Sequence, residues 1–179
     1  MIRAAIIGLG RWGRSLVNSV HGAADDIRFV AGHTRTRAKA EEFCHEKGVR
    51  LVDDFTVILS DPAIDAVVLA TPHSQHAVQI AQAAAAGKHI LVEKPITLDH
   101  ASAVAAAAAA RKAAVTLAVG YCRRFHPSFV EIRECLRDGR LGKIVGLVAQ
   151  HTTSTQSFIA PDNWRADPHE APAGAMTAV

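Results

Sequence analysis

Along the first 120 residues, short continuous apolar runs alternate with longer stretches of mixed character. Runs at 4–7, 27–31 (broken only by Arg28), 49–52, 66–70, 89–92 and 115–119 predict strands. The stretches between them, 11–20, 37–47, 55–59, 76–86 and 98–112, predict helices, and Gly87 stands where the fourth would end. Mostly apolar strands separated by helices predict a parallel sheet covered on both faces, a doubly wound α/β fold. The alanine tracts 83–86 and 105–110 read as helix faces lying close to that sheet, alanine also being the best helix former. After Gly120 the pattern changes. Residues 127–137 predict a helix with Pro127 in its first turn, 138–142 a turn, and 143–155 a long strand. Beyond Gln156 come Pro161, Pro168 and Pro172 with no period. The expected division is therefore a domain over 1–120 and a second over 121–179.

Composition narrows the function. The 179 residues carry 20 basic and 17 acidic side chains, scattered along the chain, with 5% aromatics. That excludes a nucleic-acid surface built on a basic patch or a stacking platform. No stretch of eighteen apolar residues occurs, so neither a membrane span nor a secretory signal is expected. Three cysteines at irregular spacing give no disulfide framework and no zinc site, and suit a reducing cytoplasm. His73-x-x-His76 is the nearest approach to a metal pair, but no third ligand stands at usable spacing, and no metal is expected.

The candidate chemistry lies at strand ends. Gly8-x-Gly10-x-x-Gly13, with Arg11 and Trp12 inside it, follows a strand and opens a helix. In that context the first glycine permits a tight turn, the second lets backbone approach a pyrophosphate, and the third lets helix and strand pack closely. The helix N-terminus then offers free N–H groups to phosphate. An acidic residue about 20 positions further on would accept the ribose 2′-hydroxyl of NAD. The loop His33-Thr34-Arg35-Thr36-Arg37 has none; its arginines and hydroxyls suit a 2′-phosphate, Arg35 foremost with Thr34 and Arg37 in support. NADP is therefore expected over NAD. Glu93-Lys94-Pro95 ends another strand, where a lysine can hydrogen-bond a substrate hydroxyl and help move its proton. Thr71-Pro72 ends the strand beside it and would line the nicotinamide pocket.

Four motifs in order, Gly8-Leu9-Gly10-Arg11-Trp12-Gly13, Ala70-Thr71-Pro72-x-x-x-His76, Gly87-Lys88-His89-Ile90-Leu91-Val92-Glu93-Lys94-Pro95 and Gly120-Tyr121-x-x-Arg124-Phe125-x-Pro127, resemble the glucose–fructose oxidoreductase / inositol dehydrogenase (Gfo/Idh/MocA) family. The resemblance runs from residue 2 to about 170. It implies a Rossmann-type domain followed by an α+β domain with a large open sheet, through which the intact protein would form a homo-oligomer. It also implies NAD(P)-dependent hydride transfer on sugars, polyols or related small hydroxy compounds. Lys94 falls on the family's catalytic lysine. Arg11, Trp12, His33, His76 and Glu93 join the implied cofactor site, and Arg124, Trp164 and Arg165 the substrate site; Trp164-Arg165-x-Asp167 resembles a loop early in the second domain. Family members carry a further Asp-x-x-x-His element with the acid/base histidine. This chain reaches Val179 without it, and neither His151 nor His169 stands in that pattern. The expectation is the front part of an enzyme, inactive by itself and prone to self-association through 143–155. A non-catalytic dinucleotide-binding module or sensor, and an NAD-dependent elimination on the same scaffold, are the alternatives.

Overall fold

The computed structural model describes residues 1–150, 163–172 and 177. Six strands, β1 (Ile2–Ile7), β2 (Ile27–His33), β3 (Arg50–Val52), β4 (Ala66–Leu69), β5 (His89–Val92) and β6 (Leu117–Val119), form one sheet in the order β3-β2-β1-β4-β5-β6. Every pairing is parallel. The order reverses between β1 and β4, the switch point at which open α/β sheets leave a crevice beyond their strand ends.

The helices are α1 (Arg11–Val20), α2 (Glu41–Lys47), α3 (Phe55–Ser60), α4 (His73–Ala85), α5 (His100–Lys112) and α6 (Pro127–Arg137). Side chains alternate across a strand, and both faces of β1 are buried. Ala4 and Ile6 join Val17, Phe29, Cys44 and Val49 on one side. Ala5 and Ile7 join Ile58, Ile80, Ala83 and Ala106 on the other. Buried Ala83, Ala84, Ala106 and Ala110 let α4 and α5 lie close to the sheet and to each other. Asp54 caps α3 by accepting from the Thr56 N–H (2.8 Å), and Asp99 caps α5 by accepting from the Ser102 N–H (2.9 Å). Lys88, buried between strand and helix, donates to the carbonyls of Asp61 (2.7 Å) and Ile64 (2.8 Å) at the opposite end of the sheet from the switch-point crevice.

Three expectations need correction. The single helix over 37–47 is a 3₁₀ turn, Arg37–Lys39, followed after Ala40 by α2. The guanidinium of Arg14 takes the Lys39 carbonyl, which a continuous helix would have used internally. Next, α4 starts at His73, three residues before the expected start, directly after Pro72, and Glu170 caps its first turn from far along the chain. Lastly, the strand expected over 143–155 is absent over the part described: residues 144–150 pair with no strand and are exposed. A lone strand leaves its N–H and C=O groups unpaired, and no partner strand faces it among the described residues. Residues 151–155 lie outside them. The other strand and helix limits agree within two residues, α1, β5 and α6 without any shift and β2 extending through His33.

Candidate functional site

The crevice is assembled from the turns that follow β1, β2, β4 and β5. Gly8 closes β1 at φ +95°, and an added Cβ would sit 2.5 Å from the Ala70 carbonyl oxygen, so only glycine lets this turn pass β4. A Cβ on Gly13 would lie 1.9 Å from the Gly8 carbonyl oxygen; glycine is what allows α1 to lie against the turn. Gly10 differs from both. It precedes α1, no side chain caps that helix, and nothing stands within 4 Å of its Cβ position. The chain is thus tight at the first and third glycines and open at the second. The first-turn N–H groups of α1 face that opening with the positive end of the helix dipole. Arg11 and Trp12 are exposed at its mouth.

At the end of β2, His33 Nδ1 lies 3.2 Å from the Val52 carbonyl, which accepts its proton when that nitrogen carries one. Thr34 is half-buried and Arg35 is exposed, with no hydrogen bond or ion pair among the described residues. Arg37 is committed: Nη1 bonds Asp53 (2.6 Å) and Nε bonds Glu41 (3.0 Å). The acidic residue missing from the β2 loop is therefore supplied from next door. His33 pairs with Val52 across β2 and β3, so Asp53 follows directly beside the loop. Reading the β2 loop by itself misses Asp53. The signal that could have found it is the strand order, which sets the short β3 beside β2.

At the ends of β4 and β5 two loops are tied together by His76. The ring is fully buried, with Nδ1 2.8 Å from the Pro95 carbonyl and Nε2 3.1 Å from the Thr71 carbonyl. Burial holds its pKa below the ordinary histidine value, while the two carbonyls oppose that shift. His76 thus lies beneath the crevice and braces its floor. The Thr71 hydroxyl donates to Gln79 Oε1 (2.6 Å), and Pro72 is the residue preceding α4. Of the four ring nitrogens of His73 and His76, three face backbone oxygens.

Lys94 is half-buried at the end of β5, and its peptide bond to Pro95 is cis. Desolvation pulls its pKa down from the ordinary lysine value; Glu93 opposes this, and Arg165 and Arg123 add to it. Glu93 packs against Gly120, where a Cβ would lie 2.7 Å from Oε1, so Gly120 also belongs to this site. Arg123 is among the charges that act on Lys94. Arg124 lines a surface hollow of about 260 Å³ with Arg123, Phe129 and Arg133. Trp164 does reach the crevice, edge-on to His73 at 4.9 Å, with the Arg165 guanidinium 4.2 Å from its ring. His73, Arg123 and Gly120 are the members that sequence reasoning left out. For Arg123 the signal was the tandem Arg123-Arg124.

A parallel sheet of this order with a glycine turn at its switch point defines a doubly wound α/β protein of the Rossmann kind. The profile described as "Oxidoreductase family, NAD-binding Rossmann fold" matches residues 2–121, and the chain belongs to this Gfo/Idh/MocA family. It is 37% identical over 147 residues to the scyllo-inositol 2-dehydrogenase (NAD(+)) of Bacillus subtilis (strain 168), covering 79% of this chain and 42% of that protein. Among solved structures, one from Desulfitobacterium hafniense, provisionally assigned as an NADPH-dependent oxidoreductase, superposes with a TM-score of 0.90 at 25% identity, over 99% of this chain and 51% of that one. The scyllo-inositol dehydrogenase of Lactobacillus casei, with bound NAD(H) and scyllo-inositol, superposes with a TM-score of 0.76 at 29% identity, over 80% and 43%. The chain spans about two-fifths of the length of the Bacillus relative. No helix among the described residues is long and apolar enough to cross a membrane.

Proposed function

We propose that this protein binds NADP in preference to NAD across the crevice and serves hydride transfer between the cofactor and a hydroxyl of a polyol, sugar or related small molecule. The observation that carries the reading is the pairing of the open Gly10 turn with half-buried Lys94 on one rim of the sheet. The residues present fit a dinucleotide. Gly8 and Gly13 hold backbone where any side chain would collide, and Gly10 leaves room for a pyrophosphate against the α1 N-terminus. Arg35, exposed and without a hydrogen bond or ion pair among the described residues, is placed to fork onto a 2′-phosphate. Thr71 and Pro72 line the nicotinamide end, on a floor braced by His76.

When bound, the nicotinamide ring supplies the hydride acceptor or donor. The chain supplies orientation and proton handling. Lys94 hydrogen-bonds the reacting hydroxyl, and desolvation lowers the cost of passing its proton on. In oxidation the carbon would give up a hydride to the nicotinamide and the hydroxyl oxygen its proton to the neutral amine of Lys94, leaving a ketone. Residues 1–120 form the cofactor domain in this reading, and 121–179 begin the substrate and assembly domain, to which Arg124, Trp164 and Arg165 contribute. The cytoplasm is the proposed compartment. In the longest natural form of the protein, Lys94→Ala is expected to lower kcat by about 10²-fold or more with cofactor affinity nearly unchanged. Steady-state kinetics with inositol and NADP or NAD measures this, and a variant with near-normal kcat removes Lys94 from the mechanism.

A further inference from the structure

The segment 163–172 touches the crevice at both of its ends. Glu170 Oε2 accepts from the Ser74 backbone N–H (2.9 Å), and Oε1 accepts from the Ser74 hydroxyl (2.5 Å). Its carbonyl lies 2.6 Å from His73 Nδ1. These contacts fall on the first turn of α4, across 96 and 97 residues of chain. Whereas α3 and α5 carry their own aspartate caps, α4 follows Pro72 with no side-chain cap from its own N-cap residue. Glu170 is its cap, and it places a carboxylate at the positive end of the helix dipole. At the other end of the segment, Trp164 meets His73, the residue whose Nδ1 faces the Glu170 carbonyl. Arg165 stacks on Trp164, with Arg11 and Glu93 near enough to act on its charge in opposite directions. Through Trp164, which meets His73 in the first turn of α4, Arg165 is held on the rim of the crevice.

We propose that Glu170 is a positioning residue of the dinucleotide site: it latches residues 163–172 to the first turn of α4 and so fixes Arg165 over the crevice, facing the anionic cofactor. This rests on the reading of the crevice as a dinucleotide site. Without the latch, the Trp164–His73 ring contact remains among the described residues, and an edge-on ring contact does not set the direction of a guanidinium. Glu170 touches no cofactor itself; its effect passes through Arg165.

The test is a double-mutant cycle on the full 179-residue chain, read as NADPH and NADH dissociation constants by fluorescence titration. Glu170→Ala and Arg165→Ala are each expected to weaken binding about tenfold, the scale of a charge-assisted hydrogen bond. The double variant is expected to bind no more weakly than Arg165→Ala alone, and Glu170→Gln, which can still accept from Ser74, to recover most of the affinity. Trp164 emission, recorded with Trp12→Phe to remove the other indole, is expected to shift to the red when Glu170→Ala is added. Unchanged affinity in Glu170→Ala, fully additive losses in the cycle, or an unmoved emission spectrum overturns the latch while leaving the crevice reading intact. Failure of the unaltered chain to bind either dinucleotide overturns both.

Discussion

Two glycines three residues apart should respond in opposite ways to the same substitution. Gly13 lies in the first turn of α1, where alanine is favoured over glycine by about 1 kcal/mol on helix propensity. Yet its Cβ would stand 1.9 Å from the Gly8 carbonyl oxygen. An ordinary carbon–oxygen approach is about 3.3 Å, so α1 would have to retreat by over 1 Å from β1. Neither partner can rotate aside, since the carbonyl belongs to a turn already pressed against Ala70 and α1 is anchored by buried Val17. Overpacking of this kind sits at the upper end of its range, about 3 kcal/mol. Less the propensity gain, Gly13→Ala should lose about 2 kcal/mol, or about 4–8 °C in Tm for a chain of this size. Gly10 meets nothing within 4 Å, but it is the N-cap of α1, where glycine is preferred to alanine, so Gly10→Ala should cost about 0.5–1 kcal/mol in stability, less than Gly13→Ala. Its methyl group would nevertheless stand where the pyrophosphate comes in, and dinucleotide affinity should fall about tenfold. Thermal unfolding and a cofactor titration on both variants separate the two effects. A Gly13→Ala protein as stable as its parent would refute the packing argument. A Gly10→Ala protein that binds normally would refute the assignment of that opening to phosphate.

Other expectations follow from charge and burial. Asp53→Asn should tighten NADP binding about two- to fivefold, with NAD unchanged, because the exposed Arg37–Asp53 pair is worth only about 0.2–1 kcal/mol and its release gives a second guanidinium to the 2′-phosphate; isothermal titration reads the ratio, and an unchanged ratio removes Arg37 from that role. Lys88→Met keeps the apolar stem but removes two bonds to backbone carbonyls, and should cost about 1–3 kcal/mol in urea unfolding without affecting cofactor affinity, since Lys88 lies at the far end of the sheet. Burial holds the pKa values of His73 and His76 below the ordinary value of about 6.5, so below that pH the unfolded chain takes up more protons than the folded one. Stability should accordingly be full above about pH 6.5 and decline below it. Urea midpoints at pH 7.5 and 5.5 check this, and His76→Asn should reduce the difference between them.

The sheet was legible because its strands are mostly apolar runs and the central ones, β1 and β4, are covered on both faces, so burial and sequence pattern coincide there. The glycine turn was legible for the same reason: its constraint is local, between Gly8, Gly13 and the strand they follow. What could not be read depends on neighbours distant in sequence. Ala40 breaks the expected helix because Arg14, 25 residues before Lys39, takes a carbonyl from it. Asp53 reaches Arg37 only because β3 lies beside β2. The cap on the first turn of α4 comes from Glu170, 96 residues on from Ser74. The motif points to His76 as part of the cofactor site; burial puts it under the rim, where its ring lies between the carbonyls of Thr71 and Pro95 and, while neutral, donates to one of them at a time. Residues 143–150 show the converse. A strand-like pattern specifies a strand only where a partner edge exists.

The central claim is that the crevice beyond β1, β2, β4 and β5 is a dinucleotide site, and calorimetric titration of the 179-residue chain with NADP and with NAD tests it most directly. The account predicts saturable binding at one site per chain, tighter for NADP, with the difference lost in Arg35→Ala. Absence of saturable binding for both dinucleotides up to millimolar concentration, by a chain shown to be folded, would contradict it.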